Sequence, residues 1–451
     1  LLFERFNRAR TYVTSPGLGP FIIRSVAGSG AVQLAGMALT FLMGVQLARG
    51  LGVSGYGYYG IAMAVITLAT VPGSLGIPQL VTREVAAARS RGDLAALFGI
   101  LRWADRTCWR MSAAIAVLVG GGALFAWRTG SSTVAEAILF GAPMILLVPL
   151  GTIRGGALRG LHHVVLGQVG NTLFRPLAMS VLLFGYALAG ARFGAPAAMM
   201  LNTISAVGAL FLTARWLATR LPEQRPATVA VAGRGWLASS IPMALTQAVQ
   251  ILQLQLSVLV LGMFTTPAQV GLFRVSTSTA AVIAVPVTVV NLVVLPMFAR
   301  LHAEGDRCRL QKLVTSSARL QLAGVFVLSL PLLILPGALF SLVFGKSYAA
   351  AAATIRILAI GAIFSSAFGP NAALLNMTGH ERRVTRAVTI ALLVNLVVIA
   401  LLASKLGSAG TAFGVLAGQL CWNLLLWLDA RRDLAIDTSA VALAPEGPAR
   451  S

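Results

Sequence analysis

Apolar runs of about 20 residues, enough for a helix to cross ~30 Å of hydrocarbon at 1.5 Å per residue, recur along the whole of this chain. Windows of that length mark twelve candidate spans, near residues 22–48, 57–79, 108–127, 134–153, 164–190, 194–214, 237–264, 272–298, 320–344, 350–376, 387–404 and 409–429. No soluble architecture buries so many: 57% of the 451 residues are hydrophobic and 11% charged, where soluble domains run to about 45–50% and about 25%. Lipid offers the backbone no hydrogen-bond partner, so each span must satisfy its own. The expected fold is an all-α polytopic membrane protein of about 12 transmembrane helices.

A net charge of +22 would suit a nucleic-acid partner only if the basic residues gathered on one face or in one tail. Instead they alternate with the loops, and no nucleic-acid partner is expected. With both termini on one side, that side carries Arg5, Arg8 and Arg10, then Arg83, Arg89 and Arg91, then Arg215, Arg220 and Arg225, then Arg307, Arg309 and Lys312. The other side has Arg49, Arg128, Arg192, Lys346 and Lys405. Cytoplasmic loops carry the Lys/Arg excess, which places both ends in the cytoplasm. Cys108, Cys308 and Cys421 are too few and too scattered for a disulfide framework. The basic N-terminal segment leads into a span too long for a signal-peptide core, so that span is expected to stay as an anchor.

The chain also repeats itself. At a constant offset of 214 residues Gln33 matches Gln247, Gly57 matches Gly271, Tyr59 faces Phe273 and Pro72 matches Pro286. One residue of slippage then pairs Gly92 and Asp93 with Gly305 and Asp306. Six spans per half is an even number, so both halves enter from the same side. That is the arrangement of parallel repeats about an axis along the membrane normal, with a site expected between the halves near the midplane. The expected division is an N-terminal six-helix bundle at 1–214, a cytoplasmic linker at 215–236 with Pro222 and Pro226, a C-terminal bundle at 237–429 and a cytoplasmic tail at 430–451. Pro72, Pro78, Pro286 and Pro296, and Gly369 with Pro370, predict bent spans, since each interior proline removes a helical hydrogen bond.

Ordered local motifs carry a resemblance. Ala48-Arg49-Gly50-Leu51-Gly52 is followed by Gly55-Tyr56-Gly57, then by Arg91-Gly92-Asp93 and Leu158-Arg159-Gly160-Leu161. Gly345-Lys346-Ser347-Tyr348 and Leu374-Leu375-Asn376 with Gly379-His380-Glu381 come later. In this order the chain resembles the polysaccharide-transporter branch of the multidrug, oligosaccharidyl-lipid and polysaccharide (MOP) superfamily, the O-antigen and capsule-unit flippases. The resemblance implies a MATE-like fold and a bacterial inner (cytoplasmic) membrane. It implies as substrate a polyprenyl-pyrophosphate-linked oligosaccharide, moved to the outer leaflet by alternating access, with membrane lipids around it and a polysaccharide polymerase as candidate partner. Many relatives carry an acidic residue in the seventh helix, where this chain has Gln250, Gln253, Gln255 and Ser257, which weakens the expectation of cation coupling.

Such a substrate needs cations for its phosphates and hydrogen-bonding groups for its sugars. Arg24, Arg175, Arg274 and Arg356 fall inside predicted spans, where a charge at a helix centre costs at least ~2.5–3.5 kcal/mol and faces protein, water or ligand. Depth ranks Arg175, beside Asn171 and Pro176, first and Arg356 next; Arg24 and Arg274 lie near span ends, where they can snorkel. Gln250, Gln253 and Ser257 share one helical face, and Ser29, Gln33, Gly36 and Thr40 form the matching stripe; either stripe lines a cavity or glues helices together. Asp105 and Glu136 are read as interfacial, and His162 and His163 as solvated, since no Cys or carboxylate accompanies them at metal-ligand spacing. Gly345-Lys346 lacks the upstream glycine of a phosphate-binding loop, Phe340 standing there, so neither ATP nor another cofactor is expected. The competing readings are a cation antiporter, which would rely on buried acids; a ligase, polymerase or glycosyltransferase, which would need a large outer loop and placed carboxylates; and a lipid scavenger or scaffold.

Overall fold

The computed structural model describes residues 18–74, 76–130, 132–190, 193–224, 226 and 233–442; the side chains of 18–27, 233–235, 237–247 and 250 lie outside the described residues. Among the described residues every regular element is a helix: α1 (Leu18–Ser74), α2 (Ile77–Arg91), α3 (Leu94–Gly130), α4 (Thr133–Gly141), α5 (Met144–Gly160), α6 (Leu166–Val169), a π-helical turn (Gly170–Phe174), α7 (Arg175–Leu188) and α8 (Ala195–Arg220). The second half continues with α9 (Gly233–Phe264), α10 (Pro267–Ile283), α11 (Val285–Ala303), α12 (Arg307–Ile334), α13 (Pro336–Val343), a 3-10 turn (Lys346–Ala351), α14 (Ala352–Ala367), α15 (Asn371–Met377) and α16 (Glu381–Leu434).

Eight stretches among the described residues are long and apolar enough to cross a membrane, two of them Gly28–Arg91 and Glu381–Leu434. The first, at 64 residues, would run to about 96 Å if straight, three times the hydrocarbon thickness. It doubles back instead. Gly52 sits at φ 67° and Gly407 at φ 57°, in left-handed conformations that only glycine adopts without strain, so each long helix is two crossings joined at one corner. Counting both as pairs, and adding the interrupted rod of α6 and α7 and the helix α9, gives the twelve crossings expected from hydropathy. Val117, Leu118 and Phe125 of α3 are 72–76% exposed, as are many other large apolar side chains; in water this would be a liability, and in lipid it is the solvated surface.

Offset-matched prolines bend offset-matched helices: Pro72 precedes the break between α1 and α2, and Pro286 follows the break between α10 and α11 at Ala284. The tenth crossing breaks at Gly369 and Pro370, between α14 and α15, as the sequence suggests.

The two halves meet where α1 crosses α10. A Cβ on Gly57 would run into the Pro267 carbonyl, and a Cβ on Gly271 into the Val53 carbonyl. Both contacts obey the 214-residue offset, Gly57 with Gly271 and Val53 with Pro267, so the crossing is reciprocal and lets two backbones touch at matched glycines. At the same end Arg49 donates from Nε to the Val343 carbonyl at 2.8 Å, and Tyr348 from its hydroxyl to the Ala48 carbonyl at 2.9 Å. A buried core of Leu47, Tyr56, Tyr59, Phe340, Phe344 and Tyr348 fills the space behind these contacts.

After α16, residues 437–442 are held against the second half. Gln311 clasps the backbone of Asp437, its Nε2 donating to the carbonyl at 2.6 Å and its Oε1 accepting the N–H at 2.9 Å. Arg319 donates to the carbonyls of Ala440 and Ala442, and the Thr438 carbonyl occupies the place of a Cβ on Gly369.

Candidate functional site

A cavity of about 590 Å³ lies beside the α1–α10 crossing. Its wall comes from both halves: Gln33, Gly36, Thr40, Tyr56 and Tyr59 of α1, Asn171 and Arg175 of the fifth crossing, Asn202 of α8, Leu254 and Val258 of α9, and Arg274, Thr277 and Ser278 of α10.

Arg175 reaches it by way of a local irregularity. Pro176 has no N–H, and the preceding turn, Gly170–Phe174, widens to π-helix, with the Arg175 N–H bonded to the Gly170 carbonyl one residue beyond the α-helical partner. The half-buried guanidinium then donates from Nε and Nη2 to Asn202 Oδ1 at 3.2 and 3.1 Å. Asn202, 3% exposed, passes the chain on, its Nδ2 donating to the Tyr59 hydroxyl at 2.7 Å. Arg274 also lines the cavity and packs over Gly60, its Cγ 3.1 Å from where a Cβ on that glycine would stand. Among the described residues no carboxylate lines this cavity, and none lies within ion-pair distance of Arg175 or Arg274.

The structure thus brings together Arg175, Arg274, Asn171 and Gln33. Arg356 lies elsewhere. It is exposed on α14 and donates from Nε to the Leu333 carbonyl at 3.2 Å, near the end of α12, where a cation meets the unpaired carbonyls of a helix terminus. Ser257 also turns away, its hydroxyl meeting Asn395 of α16 at 3.3 Å, the interhelical use of its stripe; Gln253 is not among the lining residues. Arg24 and Gln250 lie outside the described side chains. Asp105 stands 3.9 Å from Arg154, away from the cavity.

Tyr59 and Asn202 are the site residues that sequence reasoning missed. The available signal was a lone amide between Met200, Leu201 and Ile204 in an apolar span, where a polar group needs a partner. Among the described residues, those of the basic loop between α5 and α6 included, no cluster of three His, Cys, Asp or Glu is placed to hold a metal ion. There, burial, with Arg220, Arg89 and His162 nearby, holds the His163 imidazole below its ordinary value.

A second cavity, about 280 Å³, lies within the second half and is lined by Asn291, Gln321, Ser365, Asn371 and Asn423 among others. Its uncharged polar groups bond to one another, Gln321 to Asn291 at 2.9 Å and Asn423 to the Ser365 hydroxyl at 2.8 Å, so its character is neutral.

The profile of the family described as "Polysaccharide biosynthesis protein" matches residues 22–302, more than half of the chain. The chain belongs to that family. Among solved structures it is similar to an inward-facing multidrug resistance MATE family transporter of the MOP superfamily, with TM-score 0.71 and 13% identity over 90% of this chain and 98% of that one. It is similar also to the lipid II flippase MurJ in an inward closed conformation, with TM-score 0.71 and 13% identity over 89% of this chain and 87% of that one. A third is a MOP superfamily transporter from Pyrococcus furiosus whose binding pocket has reverse polarity, suggesting a different function for it, with TM-score 0.62 and 14% identity over 91% and 96%. No curated protein sequence matches. The polysaccharide biosynthesis family member described here therefore has the MOP transporter fold and is a multi-pass membrane protein.

Proposed function

We propose that this protein is a non-enzymatic flippase that carries a polyprenyl-pyrophosphate-linked oligosaccharide from the cytoplasmic to the outer leaflet of the bacterial inner membrane. The observation that carries the reading is the pair Arg175 and Arg274 in one interhelical cavity lined, among the described residues, by no carboxylate. Two arginines with no counter-charge call for an anionic ligand, and the linking pyrophosphate brings two negative charges. Guanidinium groups match phosphate oxygens in bidentate geometry. Gln33, Thr40, Asn171, Thr277 and Ser278 supply donors and acceptors for sugar hydroxyls, and about 590 Å³ is within the ordinary range of ligand pockets.

A cation antiporter would be expected to use acids at this place, and among the described residues none lines the cavity. The Pyrococcus transporter offers a precedent for a changed pocket polarity on this fold. Transport would proceed by parting the α1–α10 crossing while the opposite end closes, the two halves of the chain, 1–214 and 237–429, moving as bundles about the site. The test is translocation of a defined lipid-linked oligosaccharide between the leaflets of vesicles holding the purified chain. Both termini are assigned to the cytoplasm on the loop charges. Reporters fused after Arg91, Arg225 and Arg309 should all read cytoplasmic, and any one reading outside overturns the assignment.

A further inference from the structure

We propose that Asn202 is a positioning residue that aims Arg175 at the cavity while leaving its positive charge unspent. The inference rests on the anionic-cargo reading of the cavity and adds what that reading requires of the neighbouring residues.

A guanidinium is a donor only, so the atom facing Arg175 must be the amide oxygen of Asn202. Two bonds, from Nε and Nη2 at 3.2 and 3.1 Å, grip the side edge of the fork. Of the five N–H groups, both on Nη1 and one on Nη2 remain. One on each of Nη1 and Nη2 forms the end-on edge, which can take a phosphate through two bonds. The amide cannot turn freely, because its Nδ2 donates to the Tyr59 hydroxyl at 2.7 Å and faces Met63 Sδ at 3.8 Å. Tyr59 accepts that bond and keeps its own O–H to donate. Since Tyr59 also lines the cavity, the relay ends on a second donor for the same ligand.

An aspartate in this place would hold Arg175 at least as firmly, since a carboxylate accepts the same two bonds with charge assistance. It would also cancel one of the cavity's two positive charges. Asparagine has the same shape and none of the charge. That distinction separates a positioning role from a merely structural one, for which aspartate is an acceptable replacement.

The experiment uses the full-length protein in lipid nanodiscs with farnesyl pyrophosphate as probe, reading dissociation constant and thermal midpoint together. The wild type should bind. Asn202→Asp should bind about tenfold more weakly or worse, the loss expected when a charge-assisted hydrogen-bonding group is neutralised, with a thermal midpoint equal to or above the wild type's. Tyr59→Phe, which frees the amide to turn, should weaken binding several-fold and serves where Asn202→Asp does not fold. Unchanged affinity in folded Asn202→Asp, or in Tyr59→Phe, overturns the positioning role while leaving the cavity's anion preference intact. Failure of the wild-type protein to bind the probe contradicts the anion reading itself.

Discussion

Arg274 lies across Gly60, the residue 214 positions before it, its Cγ 3.1 Å from where a Cβ on Gly60 would stand. A residue that touches its own counterpart in a repeat sits where a two-fold axis would pass. The reciprocal contacts of Gly57 with Pro267 and Gly271 with Val53 surround the same line. The repeat therefore does two things at once: it brings backbones together at one end and leaves an unpaired arginine beside the crossing.

Closing that end depends on the absence of two side chains. Gly57→Val or Gly271→Val drives a methyl-bearing carbon into a backbone carbonyl that cannot step aside. Each should destabilise the closed crossing by about 1–3 kcal/mol, the usual cost of overpacking. With the native cysteines replaced, a cysteine at Val53 should label faster with a thiol reagent in either variant. Unaltered labelling and thermal midpoint would mean that the crossing is looser than described.

Not every intramembrane arginine should matter for transport. Arg356 is exposed and bonded to the Leu333 carbonyl, so Arg356→Ala should leave translocation within about twofold of wild type and cost at most about 1 kcal/mol of stability. Loss of transport in a normally folded Arg356→Ala protein would place that residue back in the pathway.

Acid should release the C-terminal segment. Burial alone would raise the Asp437 carboxyl, but the N–H and hydroxyl of Ser439, the indole N–H of Trp427 and the Arg431 charge together hold it below its ordinary value. The unfolded segment then binds more protons in the interval between the two pKa values. The stabilisation is complete above the unfolded value of 3.8 and is lost as pH falls through the lower folded value. Limited proteolysis from pH 6 downward should show residues 435–442 becoming cleavable in that acid range, and Asp437→Asn should already be cleavable at neutral pH. Coincident release in both proteins would remove Asp437 from the clasp.

The span pattern was legible because lipid sets one length scale, and the repeat because turn glycines and bending prolines recur in register. Hydropathy separated the spans near Gly52 and near Gly407, but did not show that each turn is made at one glycine. Each is a single residue within continuous helical sequence, and only its φ marks it. Arg175, Arg274, Asn171 and Gln33 were found by polarity within spans, and they share one cavity. The same reasoning ranked Arg356 second, and it lies outside that cavity, because depth along a span says nothing about which way a side chain faces. Ser257 shows the same limit: helical spacing groups it with its neighbours on a face without telling which helix that face meets. Asn202 escaped notice because an amide carries no charge to stand out against an apolar span.

If Arg175 and Arg274 together receive a pyrophosphate, translocation by the purified protein depends on both. Vesicles loaded with a polyprenyl-pyrophosphate oligosaccharide should show leaflet transfer with wild-type protein. Arg175→Ala and Arg274→Ala should each abolish most of it while remaining folded, and Arg175→Lys should keep a part, since an ammonium binds phosphate as a point charge without the bidentate fork. Undiminished transfer by the Arg175→Ala, Arg274→Ala double variant, at normal insertion and thermal midpoint, would contradict the claim.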